Sequence, residues 1–290
     1  MTRLVLFALL LGASACRYSL TPVAPPALTK NAVAYPITHR GPFRRSNAYR
    51  IGEFRVLNVH TGWAHRHRQA KRLRGKSTFE KLINTLGNQS NWQVKTQVRQ
   101  TFRLAVAGFS SLPAQLTATE EASAETIRRR IRGVDLKNAT PVSAHYLFTG
   151  QLVLPADSAH NRWEFTLYRD WKATDRADNP LPGGMVTNLY DLIEIRPEMY
   201  REMTDRKTGE TRSLLRQFGG TSLEVPGGYG FYQDGEPIGF TNAQFGGRPR
   251  LWLRNDLDAR RKTVLSALTA ALLRRRHDTS TYLTHSFADP

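Results

Sequence analysis

Residues Val264 to Leu273, VLSALTAALL, carry no charged side chain on any helical face. The pattern from Asn255 to Arg274 is that of one helix, with Asn255 or Asp256 available as its cap. A helix that is apolar all round has no face to give to water, so it must be enclosed by protein. Its apolar centre is too short to cross a bilayer, which takes about 20 residues. Its cations stand only at the ends, Arg260, Arg261 and Lys262 before the centre and Arg274, Arg275 and Arg276 after it. A helix lying in a membrane interface keeps a charged flank along its length, and this one has none. The rest of the chain must therefore supply apolar walls around it, which curled antiparallel strands can do.

Strand patterns of that kind are present. In residues 91–106, NWQVKTQVRQTFRLAV, the even positions are mostly apolar and the odd ones polar, the period of a strand with one wet face. The run exceeds the usual strand length of about 5–6 residues, so a bend or bulge is expected. Residues 163–171, WEFTLYRDW, alternate in the same way. Gly230–Gln233, Asp234-Gly235 and Ile238–Phe240 read as a hairpin, because Asp-Gly takes the positive φ of a type I′ turn. Gly246-Gly247 turns the chain again before Arg250–Leu253, making the C-terminal third a β-meander.

This terminal order of strand, Asp-Gly turn, strand, glycine turn, strand and hydrophobic helix resembles the tubby-like superfamily, which includes tubby, plant LURP-one-like and phospholipid scramblase domains. The similarity spans residues 229–276. It implies a β-barrel enclosing the helix, while the lipid association of its members transfers only as analogy. One or two short additional helices are expected. One is opened by Ser77-x-x-Glu80 and stopped at Gly87; the other is opened by Thr117-x-x-Glu120 and ends near Gly133, with Arg128, Arg129, Arg130 and Arg132 in its last turns. The expected fold class is α+β, mainly antiparallel β: a curled sheet or barrel packed around a hydrophobic C-terminal helix, with one or two short additional helices.

The other end of the chain reads as an export signal. Arg3 is a minimal positive region, Leu4 to Leu11 is an apolar run, and Gly12-Ala13-Ser14-Ala15 supplies small residues for cleavage. Cys16 follows directly and is the sole cysteine. Exported proteins usually hold cysteines in pairs, so a single one at this spot points to a modified thiol. The segment resembles the bacterial lipoprotein signal, or lipobox, with Ser14 and Ala15 matching and Ala13 where leucine is commonest. The resemblance implies lipidation at Cys16, and Arg17 after it implies the outer membrane. Ala13-Ser14-Ala15 is also an A-x-A site whose cleavage would release a soluble protein. The organisation expected is a signal peptide over 1–15, a lipidated N-terminus and disordered proline-rich tether over 16–48, and a single β-rich domain over 49–290.

The chain has 42 Lys and Arg against 24 Asp and Glu, a formal charge of +18. For an exported protein the counter-charges are anionic phospholipid, lipopolysaccharide or wall polymer rather than nucleic acid, at about 1 kcal/mol per cation near an anionic membrane. The densest basic run supplies the candidate anion-binding patch, Arg66, Arg68, Lys71, Arg72, Arg74 and Lys76. Ala70 to Ser77 also fits a relaxed phosphate-loop pattern. The polar segment before it is no buried strand, so the match reads as coincidence. His65 and His67 would share one face of a strand but lack an acidic neighbour in sequence, and no His-Glu-x-x-His or Gly-x-Ser-x-Gly occurs. Glu194 and Glu198 are separated by Pro197, which prevents a helix from aligning them. No catalytic, cofactor-binding or metal-binding residue is assigned. The expectation is a non-enzymatic, lipid-anchored envelope protein presenting a basic domain to an anionic surface or partner. The alternatives are a soluble periplasmic or secreted binding protein and a hydrolase of envelope polymer.

Overall fold

The computed structural model describes residues 18–20, 26–39, 49–73, 89–108, 112–131, 134–155, 161–172, 182–200, 202–205, 208, 211–213, 225–242 and 249–274. Its strands are β1 (Tyr18–Leu20), β2 (Ala32–His39), β3 (Tyr49–Ile51), β4 (Phe54–Thr61), β5 (His65–Leu73), β6 (Gln89–Ala107), β7 (Ala114–Ile131), β8 (Val134–Val153), β9 (Arg162–Lys172), β10 (Gly183–Thr187), β11 (Leu192–Tyr200), β12 (Glu202–Asp205), β13 (Thr211–Ser213), β14 (Val225–Gln233), β15 (Glu236–Thr241) and β16 (Arg250–Arg254). Twelve of them form a closed antiparallel barrel in the order β4-β3-β2-β16-β15-β14-β11-β10-β9-β8-β7-β6, shut by a β4–β6 pairing. Closure removes the unpaired edges that an open sheet would expose.

The barrel is filled by the C-terminal helix, Ala259–Arg274, as its uncharged centre requires. Every residue from Val264 to Leu272 is buried. Around them pack the inward side chains of the walls, among them Phe102, Leu104, Phe148, Phe165, Ile195, Phe231 and Leu251. Tyr49 Oη donates to the Ala270 carbonyl at 2.8 Å and ties the helix to β3. The cap lies later than either Asn255 or Asp256: the Asp258 carboxylate accepts from the Arg261 N–H at 2.6 Å. The expected meander is present, with Asp234 and Gly235 at φ of 52° and 80° between β14 and β15.

Three expectations are corrected. Residues 117–131 lie in β7 and not in a helix, because β6 and β8 ladder them on both sides. The segment 16–48 is more than a tether. Within it β2 is a barrel strand between β16 and β3, and the helix Pro26–Lys30 lays Leu28 over Phe240 and beside Trp252 on the outside of the wall. The bulge expected in residues 91–106 falls on the partner strand, where the β4–β6 register shifts between Leu57 and His60 and Asn58 takes a φ of 51°. The helix expected over 77–87 lies outside the described residues.

Candidate anion-binding surface

Strands β6, β7 and β8, at 19, 18 and 20 residues, are too long for the barrel wall alone. Residues 102–107 of β6 pair with β4, and residues 91–99 pair with β5, so β4 and β5 share one edge of the same strand in succession. The sheet β5–β9 thus continues past the ring as a wing, at the end opposite the start of the C-terminal helix. Among the described strands of this sheet, β5 alone has a single neighbour.

Most of the sequence-derived patch lies on that edge. All of His65–Arg72 is exposed. Strand alternation sends Arg66, Arg68 and Arg72 to the face continuous with the barrel interior, and Lys71 to the opposite face with His65 and His67. The patch is therefore a strand carrying cations on both faces rather than one plane of charge. Ala70 to Leu73 are extended in the ladder with β6, not looped around a phosphate. Arg74, Lys76 and Cys16 lie outside the described residues.

The outer face of the wing also holds polar groups that sequence reading did not join. One cross-strand row is His65, Arg99, Glu121, Leu147 and Tyr168; the next is His67, Gln97, Ser123, His145 and Asp170. A groove of about 360 Å³ runs between them. Arg99 pairs with Glu121 at 3.0 Å and His145 Nδ1 lies 2.5 Å from Asp170 Oδ1. Tyr168 also donates to Asp170, which raises its pKa first through that hydrogen bond. Ser123, His145 and Asp170 have the residue types of a hydrolase triad. Ser123 nevertheless makes no hydrogen bond to the imidazole among the described residues, and the backbone N–H groups around it are spent on the ladders with β6 and β8, leaving none for an oxyanion. Nearer the barrel, a second groove of about 610 Å³ crosses β6–β9 beside the threonine row Thr101, Thr119, Thr149 and Thr166. Glu194 and Glu198, in β11, act structurally, accepting from Arg196 Nε at 2.8 Å and Tyr232 Oη at 2.7 Å.

No protein-family model, curated protein or solved structure matches the chain.

Proposed function

We propose that the chain is a lipid-anchored bacterial cell-envelope protein, non-enzymatic, whose wing presents cations to an anionic surface: phospholipid, lipopolysaccharide or wall polymer. The observation that carries this reading is β5, a strand with one partner whose cations are all in water and unburdened by desolvation. A second observation gives it direction. β1 begins two residues after Cys16 and pairs with β12, which follows β11 at the end of the barrel from which the wing extends. An anchor at Cys16 would therefore hold the wing toward the membrane that it is proposed to touch.

The test has two arms. Cys16→Ala should leave the envelope-membrane fraction or accumulate unprocessed, whereas normal maturation and membrane retention of that variant would refute the anchor. Replacing Arg66, Arg68 and Arg72 by Gln should leave folding intact and weaken sedimentation with anionic vesicles or lipopolysaccharide by about 3 kcal/mol at low salt. Binding that is unchanged in this variant, or insensitive to 0.5 M salt, would refute the surface.

A further inference from the structure

The first turn of the C-terminal helix breaks a local rule. It holds Arg260, Arg261 and Lys262 and no acidic residue, although a helix N-terminus carries positive partial charge and disfavours cations. Such a departure needs a compensating gain. For Arg261 the gain is visible: Nη2 donates to Asp191 at 2.7 Å and Nη1 to Asp258 at 3.2 Å. Lys262 Nζ donates to the Asn255 carbonyl at 3.2 Å. For Arg260 no anionic partner is present among the described residues. Its guanidinium makes no ion pair among the described residues, and its Nε and Nη2 are sealed from solvent without an acceptor.

A second group beside it is in the same condition. Trp163, on the inward face of β9, is fully buried, and its Nε1–H has no acceptor among the described residues. The Arg260 guanidinium lies over this ring, 5.4 Å from its centroid. Helical side chains lean toward the N-terminus, so Arg260 sets its fork at the mouth of the barrel where Trp163 stands. Buried donors are almost always satisfied. Arg260 Nε and Nη2 and the Trp163 indole N–H, on two side chains in ring contact at a positive helix end, are three that are not.

The donor set also selects the anion. Nε–H and Nη2–H form the side-on edge of guanidinium, which matches two oxygens of one oxyanion. The indole N–H offers a third donor, for a third oxygen that a phosphoryl or sulfate group has and a carboxylate lacks. We propose that Arg260 and Trp163, at the start of the C-terminal helix, bind a tetrahedral oxyanion of the phosphate class. The site lies at the end of the barrel opposite the wing and does not depend on the anchor. The β10–β11 turn beside it, whose Asp191 holds Arg261, exposes Leu189 and Tyr190 by 82% and 67%, so the phosphate can belong to a lipid headgroup or be free in solution.

The full chain is titrated with inorganic phosphate at constant ionic strength, with melting temperature and ³¹P line width as readouts. Wild type should show a saturable response that chloride does not produce and that acetate produces at least about tenfold more weakly. Arg260→Gln and Arg260→Lys should each weaken it about tenfold or more, since lysine keeps the charge and loses the fork. Trp163→Phe keeps the ring and removes the donor, and should weaken it several-fold. The Arg66, Arg68 and Arg72 variant should respond as wild type, which separates this site from the wing. Retention on phosphatidic-acid vesicles that Arg260→Gln reduces, measured in the wing variant, would assign the phosphate to a lipid. Saturable binding without such retention would assign it to a free phosphate. A wild type that responds to phosphate no more than to chloride, or an Arg260→Gln variant that responds equally, would overturn the proposal.

Discussion

The two ends of the buried helix carry the same pair of groups under opposite fields. At its end Arg274 lies over the Tyr49 ring, 5.3 Å from the centroid; at its start Arg260 lies over Trp163 at 5.4 Å. The cation at the C-terminus faces the negative end of the helix dipole and is favoured, and the Tyr49 hydroxyl has the Ala270 carbonyl. The cation at the N-terminus faces the positive end and is disfavoured, and the Trp163 N–H has no acceptor among the described residues. Among the described residues one end is complete in itself, and the other would be completed by the oxyanion proposed above. Cation and aromatic ring alone therefore do not distinguish structure from recognition; the sign of the local field and the tally of satisfied donors do.

The largest expected effect removes both ends at once. Leu268 is 1% exposed at the centre of the helix. Leu268→Arg should prevent folding, since an unpaired charge cannot remain dry there. Leu268→Ala should cost about 2–5 kcal/mol in denaturant unfolding through lost transfer energy and a cavity. A well-folded Leu268→Arg protein would place the helix at the surface and dissolve the comparison.

A smaller effect breaks the helix start alone. Asp191 and Arg261 are 19% and 29% exposed at a 2.7 Å contact, and Asp191 raises the Arg261 pKa chiefly through that hydrogen bond. Asp191→Ala should cost about 1.5–3 kcal/mol, the range for hydrogen bonds to charged groups. It should leave anionic-vesicle binding by the wing unchanged. Equal stability of Asp191→Ala and wild type in urea would show that the cations of this turn are not held as described.

How far these features could be read from sequence depends on whether one segment carries its own constraint. Val264 to Leu273 does: no face can meet water, so burial and an enclosing wall follow without knowing the wall. Residues 91–106 do as well, through period two. Residues 117–131 do not. Thr117-x-x-Glu120, Ala118, Ala122, Ala124 and the arginines favour a helix locally, yet the same alanines occupy alternate inward positions of β7, and two long neighbours decide the matter. In β2 the proline that suggests a tether, Pro36, sits opposite Arg250 in the ladder. The candidate sites divide the same way. The basic character of β5 is written in consecutive residues, whereas Arg260 and Trp163 are 97 positions apart and meet only once the barrel closes.

Next in size is a direct contrast of the two cations. Arg274→Gln removes a favourable dipole contact and a ring contact together, for a loss of about 1–2 kcal/mol. Arg260→Gln, without phosphate, removes a ring contact but relieves an unfavourable dipole contact, so its net change should be close to zero. Urea unfolding of the two variants in a phosphate-free buffer measures the difference. Equal losses would mean that the helix field does not separate the two ends.

The smallest effect is titratable. Burial raises the Tyr49 pKa, with Arg274 opposing in part. The folded protein thus keeps this phenol protonated at a pH where the unfolded chain, at about 10, releases it. An acid whose pKa is raised by folding contributes stability that is present in full below the unfolded value and is lost as pH climbs from there toward the folded value. Stability should therefore fall above about pH 10. Tyr49→Phe should cost about 0.5–1.5 kcal/mol at neutral pH, through the hydrogen bond to Ala270, and should flatten that alkaline decline. A decline equally steep in Tyr49→Phe would mean that the hydroxyl is not sequestered at the C-terminal end, and that this end is no more self-sufficient than the other.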